Sequence, residues 1–364
     1  MKCILFLAAD LCSGGAERQM VTTACLLKKK GYDVTVYCYG KADFYAPILQ
    51  EAGIPVVWET EAPNYLKRLN SIRSYIRNNS FNAVISFLPS CNFLNSIVAI
   101  GCHKWKVVTG VRSADKSYFA SKRGKFFSWF QRFSDVIICN SQNACNMWRE
   151  QYPSFTEKLN VIYNCVQLGR VQSKYEPKQD GKLHIIIAAT YQYLKNPLGL
   201  VDALAMMDER EKNEIVIDWY GRIEMSKGDT QAYDDTVKAI QNHALERVVN
   251  LHPDTKEIAD KMHQADAVML LSKFEGLPNA ICEGMLLGKP IIMTRVSDYD
   301  VLVDESNGFL CDWDKPETIK MAILSMVKLP TTKLLEMGKE SEKKAKTLFT
   351  PSIIVKQWMK IIDQ

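Results

Sequence analysis

Short apolar runs rich in β-branched residues alternate along the chain with longer segments whose apolar positions recur every three or four residues. Residues 3–9, 33–39, 83–87, 106–109 and 136–139 are the first such runs, and residues 17–30 and 65–78 between them carry the helical period. A continuous apolar run marks a strand buried on both faces, and strand–helix alternation predicts parallel βαβ units. One more strand is expected over 161–166. Residues 167–183 are then polar and irregular, with Lys174, Pro177 and Gly181. The alternation restarts at 184–189, 215–220, 248–251, 267–271 and 290–294. Asn196-Pro197 marks a helix start with Asn196 as its cap, and Thr350-Pro351 opens a last helix that runs to Gln364. The pattern predicts an α/β chain of two Rossmann-like, doubly wound domains with a hinge near residue 165.

A length of 364 residues suits two domains better than one. With 47% hydrophobic and 24% charged residues, the composition excludes disordered, collagen-like and disulfide-scaffold chains. No apolar run approaches the roughly 18 residues that cross a bilayer. The opening run ends at Asp10 and leads into a Gly pair, so it reads as a strand and not as a signal peptide. The 11 Cys form no Cys-x-x-Cys pair, which implies buried thiols in a reducing cytosol. The five His (103, 184, 243, 252 and 263) have no ligand spacing, so no metal is expected. Charge is uneven. Residues 1–164 hold 20 Lys/Arg against 11 Asp/Glu and the remainder 26 against 30, a basic module before a mildly acidic one.

Open parallel sheets bind ligands beyond the carboxyl ends of their strands, often at a helix N-terminus. Two loops there carry candidate chemistry. Ser13-Gly14-Gly15-Ala16-Glu17-Arg18 follows the first strand, where adjacent glycines let backbone N–H groups approach an anion. The same residues also suit a plain tight turn. The loop lacks Gly-x-Gly-x-x-Gly, and the second strand ends in Tyr37-Cys38-Tyr39-Gly40-Lys41 without an acid for a ribose diol, which excludes a nicotinamide dehydrogenase. The second loop runs from Ser272 to Glu283. Glu275 lies between strand and helix, and Glu283 lies one to one and a half turns inside the helix. One carboxylate can accept from sugar hydroxyls and the other from a ribose diol, while the amides of 276–280 suit a diphosphate or hexose.

Residues 116–133 interleave Lys116, Lys122, Arg123, Lys125 and Arg132 with Tyr118, Phe119, Phe126, Phe127, Trp129, Phe130 and Phe133. Such a segment suits an anionic membrane interface and a lipid diphosphate acceptor. Packing of these rings onto the first sheet is the alternative. No nucleic-acid-binding motif accompanies the charge.

Phe274-Glu275-Gly276-Leu277-Pro278-Asn279, followed after three residues by Glu283, is a Glu-x7-Glu motif. It resembles that of the retaining glycosyltransferases of family 4, which have the GT-B fold. Residues 14–18, Asn140-Ser141, residues 161–164, Lys195-Asn196-Pro197, Gly288-Lys289-Pro290 and residues 307–310 resemble further landmarks of that family, so the resemblance covers most of the chain.

The resemblance implies an acceptor-binding domain over 1–164 and a nucleotide-sugar-binding domain over 165–346, facing each other across a cleft. Residues 347–364 would cross back to the first domain. Lys195 would neutralise the donor diphosphate, Glu283 would hold the ribose, and Glu275 with the backbone of Gly276, Leu277, Pro278 and Asn279 would surround the hexose. Gly14 and Gly15 would approach the donor phosphates from the other domain. No metal or cofactor is implied, and front-face displacement would retain the anomeric configuration.

Two departures stand out. Thr190 occupies the position of a family Arg, for which Arg222 is the candidate substitute. A family His near residue 109 is missing, leaving Arg112 or Asp115 to contact sugar or acceptor. The implied function is hexose transfer from a nucleotide diphosphate sugar, with UDP-sugar the expected donor. The acceptor would be a hydroxyl of a glycan or polyprenyl-diphosphate-linked glycan, as in bacterial surface polysaccharide synthesis. The implied location is the cytoplasm, or the inner face of the cytoplasmic membrane as a peripheral protein. A sugar-nucleotide epimerase and a catalytically silent nucleotide-sugar-binding partner are the rival readings.

Overall fold

The computed structural model describes residues 1–59, 64–168, 175, 180–224 and 228–364. Of the irregular stretch, Lys174 and Pro177 lie outside the described residues. Contacts divide the chain into two units, Met1–Cys165 with Pro351–Gln364, and Val166–Thr350. The second break falls at residue 351, not 347, because the helix Thr331–Leu348 packs with the second unit through its last turn.

The first unit holds seven parallel strands, β1 (Cys3–Ala8), β2 (Asp33–Cys38), β3 (Val56–Trp58), β4 (Ala83–Ser86), β5 (Lys106–Val111), β6 (Val136–Cys139) and β7 (Leu159–Val161). Their order is β3-β2-β1-β4-β5-β6-β7. The second holds β8 (Leu183–Ala188), β9 (Ile215–Tyr220), β10 (Val249–His252), β11 (Ala267–Leu270), β12 (Ile291–Thr294) and β13 (Gly308–Cys311), ordered β10-β9-β8-β11-β12-β13. Both sheets are Rossmann-like and doubly wound. In each, the order reverses beside the first strand, between β1 and β4 and between β8 and β11.

The central strands are apolar on both faces because helices cover both sides, as in Ile4–Leu7 of β1 and Ile185–Ile187 of β8. Two strands escaped the sequence reading. The edge strand β3 is three residues long with Trp58 exposed, and β13 hides in the Asn307-Gly308 turn sequence. The strand expected over 161–166 is instead β7, which ends at Val161. Its neighbour β6 stops at Cys139, so the ladder has little left to pair with beyond that point. From there a side chain takes the place of a strand. Buried Gln19 donates to the Cys165 carbonyl at 3.0 Å and accepts from the Cys165 N–H at 2.9 Å.

The last helix, Pro351–Asp363, packs its apolar face into the first unit through Ile354, Val355, Trp358, Ile361 and Ile362. Trp358 is 1% exposed and lies 5.8 Å from the Phe87 ring, centroid to centroid. The C-terminal end of this helix leaves carbonyls unpaired, and lysines fill them. Lys106 Nζ donates to Ile361 O at 2.9 Å and Lys2 Nζ to Ile362 O at 3.1 Å, where the helix dipole also favours a cation. Tyr32 donates to Asp363 at 2.8 Å.

In the second unit, Lys289 is 2% exposed, with Nζ 3.5 Å from the centroid of the Tyr175 ring. Tyr175 in turn donates to Asp266 at 2.6 Å. Burial pulls the Lys289 ammonium down to about 8.

Two outcomes follow. Trp358→Ala should lower stability by about 3–5 kcal/mol in denaturant unfolding, from lost burial plus the cavity left behind. Lys289 binds its proton less readily when folded than when unfolded, so its charge opposes folding below pH 8, and that penalty fades as pH rises toward 10.5. Lys289→Met should therefore raise the melting temperature at pH 7, by at most about 3 kcal/mol of stability. It should also flatten the rise in melting temperature between pH 7 and 10.

Candidate active site

In the second unit, the loop after β8 and the loop after β11 leave on opposite sides of the winding reversal, the place where such sheets bind ligands. Lys195 comes from the first loop and Glu275 from the second. Their side chains, 18% and 14% exposed, form an ion pair between Lys195 Nζ and Glu275 Oε1. Ser272 Oγ donates to the same carboxylate oxygen at 2.7 Å. The two loops also join through the backbone, Lys273 N to Leu194 O at 2.8 Å.

Lys195-Asn196-Pro197 achieves this by a local device. Asn196 adopts φ +60°, a left-handed conformation that asparagine tolerates, and Pro197 starts the next helix. Asn196 occupies the cap position, but its side chain does not cap. Its amide instead donates to the Trp313 carbonyl at 2.8 Å. The side chain lies across Gly199, where an added Cβ would come within 2.4 Å of it.

Gly276, Leu277 and Pro278 are buried, and Asn279 opens the helix Asn279–Leu286. No side chain caps that helix, and its positive N-terminal end favours an anion. Ser297, at φ +57°, donates to the Gly276 carbonyl at 2.5 Å. Glu283 lies one turn into the helix and is half-buried. Beside it Gly284 lets the helix approach β11, since a Cβ there would sit 2.7 Å from Val268.

Thr190 and Arg222 flank each other through the backbone of their loops. Tyr191 N donates to Arg222 O at 3.1 Å, and Gly221 lies so close to Ala189 that a Cβ would meet its carbonyl at 1.9 Å. The Arg222 side chain is exposed and Thr190 half-buried. Tyr191, fully buried, fixes this rim. Its hydroxyl lies 2.7 Å from the Trp219 carbonyl and accepts from the His252 N–H at 3.0 Å, while Trp219 Nε1 donates to Ala189 O at 2.7 Å.

In the first unit, Gly14 caps the helix Gly15–Lys29 directly after β1 and the turn beyond it. Asp10, Cys12 and Glu17 bring ligand atoms within 4.8 Å of one another here, the one such group among the described residues. Burial and hydrogen bonding to Asp10 push the Cys12 thiol up to about 11. Arg112 and Asp115 serve local structure. The Arg112 guanidinium lies 3.7 Å over the Phe87 ring and donates to Asn164 at 3.0 Å, while its buried Nε has no partner. Asp115 caps the helix Lys116–Ala120, accepting from Ser117 N at 2.8 Å.

The aromatic segment divides between core and surface. Phe119 is buried against Trp148, and Phe127 stacks on Phe93 at 4.7 Å. Phe126 and Trp129 are 53% and 47% exposed, and Lys116, Lys122, Arg123 and Lys125 of the same segment are exposed too. Tyr65 and Leu66 from a neighbouring helix are exposed as well, and Tyr65 lies 6.0 Å from Phe93. Those two were missed because residues 65–78 read only as an amphipathic helix. Among the described residues, no helix is long and apolar enough to cross a membrane.

Two family models match the chain in succession, Glycosyltransferase Family 4 over residues 13–170 and Glycosyl transferases group 1 over 170–345. An uncharacterized glycosyltransferase of Methanocaldococcus jannaschii is 33% identical over 60% of this chain, a match that spans 58% of its own length. A Campylobacter jejuni α-1,4-N-acetyl-D-galactosaminyltransferase, named for a GalNAc-extended diNAcBac-PP-undecaprenol, is 22% identical over 99% of this chain and 98% of its own. Anabaena HepE in complex with UDP superposes with a TM-score of 0.85 at 18% identity, covering 100% of both chains. Matched in order from residue 13 to 345 and folded as these enzymes are, the chain belongs to the glycosyltransferases of GT-B type.

Proposed function

We propose that this glycosyltransferase moves a hexose from UDP-sugar to a hydroxyl of a glycan or polyprenyl-diphosphate-linked glycan, with retained configuration. The observation that carries the reading is the Lys195–Glu275 pair at the winding reversal of the second sheet. Support for the donor comes from HepE structures holding UDP and UDP-glucose. Support for the acceptor comes from the Campylobacter relative and from an Erwinia amylovora amylovoran biosynthesis glycosyltransferase, 17% identical over 96% of both chains.

In this reading Glu283 accepts from the ribose hydroxyls, and Glu275 with the backbone of 276–279 surrounds the hexose. Arg222 supplies the charge absent at Thr190. The acceptor hydroxyl attacks the anomeric carbon from the side the diphosphate leaves. The new C–O bond forms as the bond to the diphosphate oxygen breaks, and that oxygen takes the hydroxyl proton. Lys195 stabilises the charge growing on the leaving group, where a low-dielectric site makes it most effective. Lysine and helix amides carry the positive charge, so no metal or cofactor is required. The first unit takes the acceptor at an anionic membrane surface, with Lys116, Lys122, Arg123, Lys125, Phe126 and Trp129 as the contact, while Phe127 packs on Phe93.

Glu275→Gln should reduce sugar transfer by about a hundredfold or more. UDP should still raise its melting temperature, by at least as much as in the wild type, with or without EDTA. Lost UDP binding in this variant would sink the assignment of Glu275 to the hexose, and intact activity would favour a silent nucleotide-sugar-binding role. For the membrane contact, the chain should co-sediment with phosphatidylglycerol vesicles and not with pure phosphatidylcholine. Lys122→Ala/Lys125→Ala should weaken that binding about tenfold or more, since each lysine near an anionic surface contributes about 1 kcal/mol. Binding to neither vesicle would sink the membrane contact, and equal binding to both would remove the role of the lysines.

A further inference from the structure

We propose that Ser272 is a positioning residue that selects which oxygen of Glu275 meets the donor sugar, an inference that rests on the donor reading above. Ser272 is fully buried, three residues before Glu275. Its hydroxyl and the Lys195 ammonium both donate to Oε1 of Glu275. A carboxylate only accepts hydrogen bonds, so two donors on one oxygen turn the other, Oε2, toward whatever else the site brings.

Ser272 is itself held. Its carbonyl accepts from Thr294 Oγ1 at 2.7 Å, and Thr294 is fully buried at the end of β12. The next residue, Lys273, is tied to the Lys195 loop through Leu194. The serine hydroxyl therefore has a fixed origin and a single strong acceptor. Lys195 alone would not fix the carboxylate. A lysine donates through three rotatable N–H groups on a flexible stem and moves when a diphosphate arrives. The serine bond survives that exchange and keeps the plane of Glu275 constant while the ammonium turns to the donor. Oε2 then presents an acceptor to a sugar O–H. A sugar with a carboxylate at that position would meet charge against charge, so the site favours a neutral hexose.

The test measures UDP release from a panel of UDP-hexoses without acceptor, which needs no knowledge of the acceptor. It is paired with UDP affinity from thermal shift. Ser272→Ala should lower kcat by roughly tenfold to a hundredfold, the range for losing a hydrogen bond to a charged group. UDP affinity should not change, because UDP carries no hexose. Ser272→Thr keeps the hydroxyl and should recover most of the rate. Wild-type kcat in Ser272→Ala would overturn the proposal. So would an equal loss of UDP affinity and melting temperature that Ser272→Thr does not repair. A wild-type protein that neither binds UDP nor releases it from any UDP-hexose would overturn the donor reading itself, and this inference with it.

Discussion

The reversal of winding beside β8 is the constraint on which the candidate site depends. In a parallel sheet every crossover must carry the chain over one face, and the chain here first fills one side of β8 and then the other. The loops after β8 and β11 therefore start apart at the carboxyl ends of their strands, and one backbone bond, Lys273 N to Leu194 O at 2.8 Å, ties them. Lys195 and Glu275 span the gap with their side chains. Two half-buried charges would each be costly alone, and the pair offsets that cost without being a strong source of stability. Their position is better explained by what the gap receives than by what the fold needs.

Around the gap, buried polar groups do the holding. Tyr191 joins the ends of β9 and β10 and Trp219 reaches back to Ala189, so the rim after β8 is fixed by tertiary bonds and not by helix or ladder. Thr294 and Ser297 hold the opposite rim through the carbonyls of Ser272 and Gly276. The second of these bonds has a mechanical consequence. In a trans peptide the C=O and N–H point opposite ways, so fixing the Gly276 carbonyl fixes the direction of the Leu277 N–H. Ser297 does this from a left-handed backbone conformation that a non-glycine residue adopts only where its surroundings impose it.

The sequence made the architecture readable wherever burial is complete, since strands covered on both faces show as unbroken apolar runs. It failed where an element is short or is bounded by its neighbour. Trp58 at an exposed edge carries no two-sided pattern, and β7 ends where β6 ends, a fact held in a different segment of chain. Asn196 shows the same limit at finer scale. Asn before Pro reads as a cap, but its amide finds a carbonyl 117 residues away, and only the fold brings Trp313 there. Glu275, Glu283 and Lys195 were legible because their spacing and neighbours are distinctive. Ser272 was not, because a serine three residues before a glutamate is unremarkable until its hydroxyl is seen on that glutamate's oxygen.

The internal pairing of Lys195 bears on how such a site would favour reaction over binding. On the proposed reading, an incoming diphosphate competes with Glu275 for the same ammonium, so the bound donor gains only the difference between two anionic partners. As the glycosidic bond breaks, negative charge grows on the diphosphate and not on Glu275, and the ammonium shifts its favour accordingly. An interaction that strengthens only as the bond breaks lowers the barrier without deepening the ground state, which is the condition for raising kcat. A lysine with no internal partner would bind the donor more tightly at rest and gain less at the transition state. On the proposed reading, then, the Lys195–Glu275 pair trades ground-state affinity for rate.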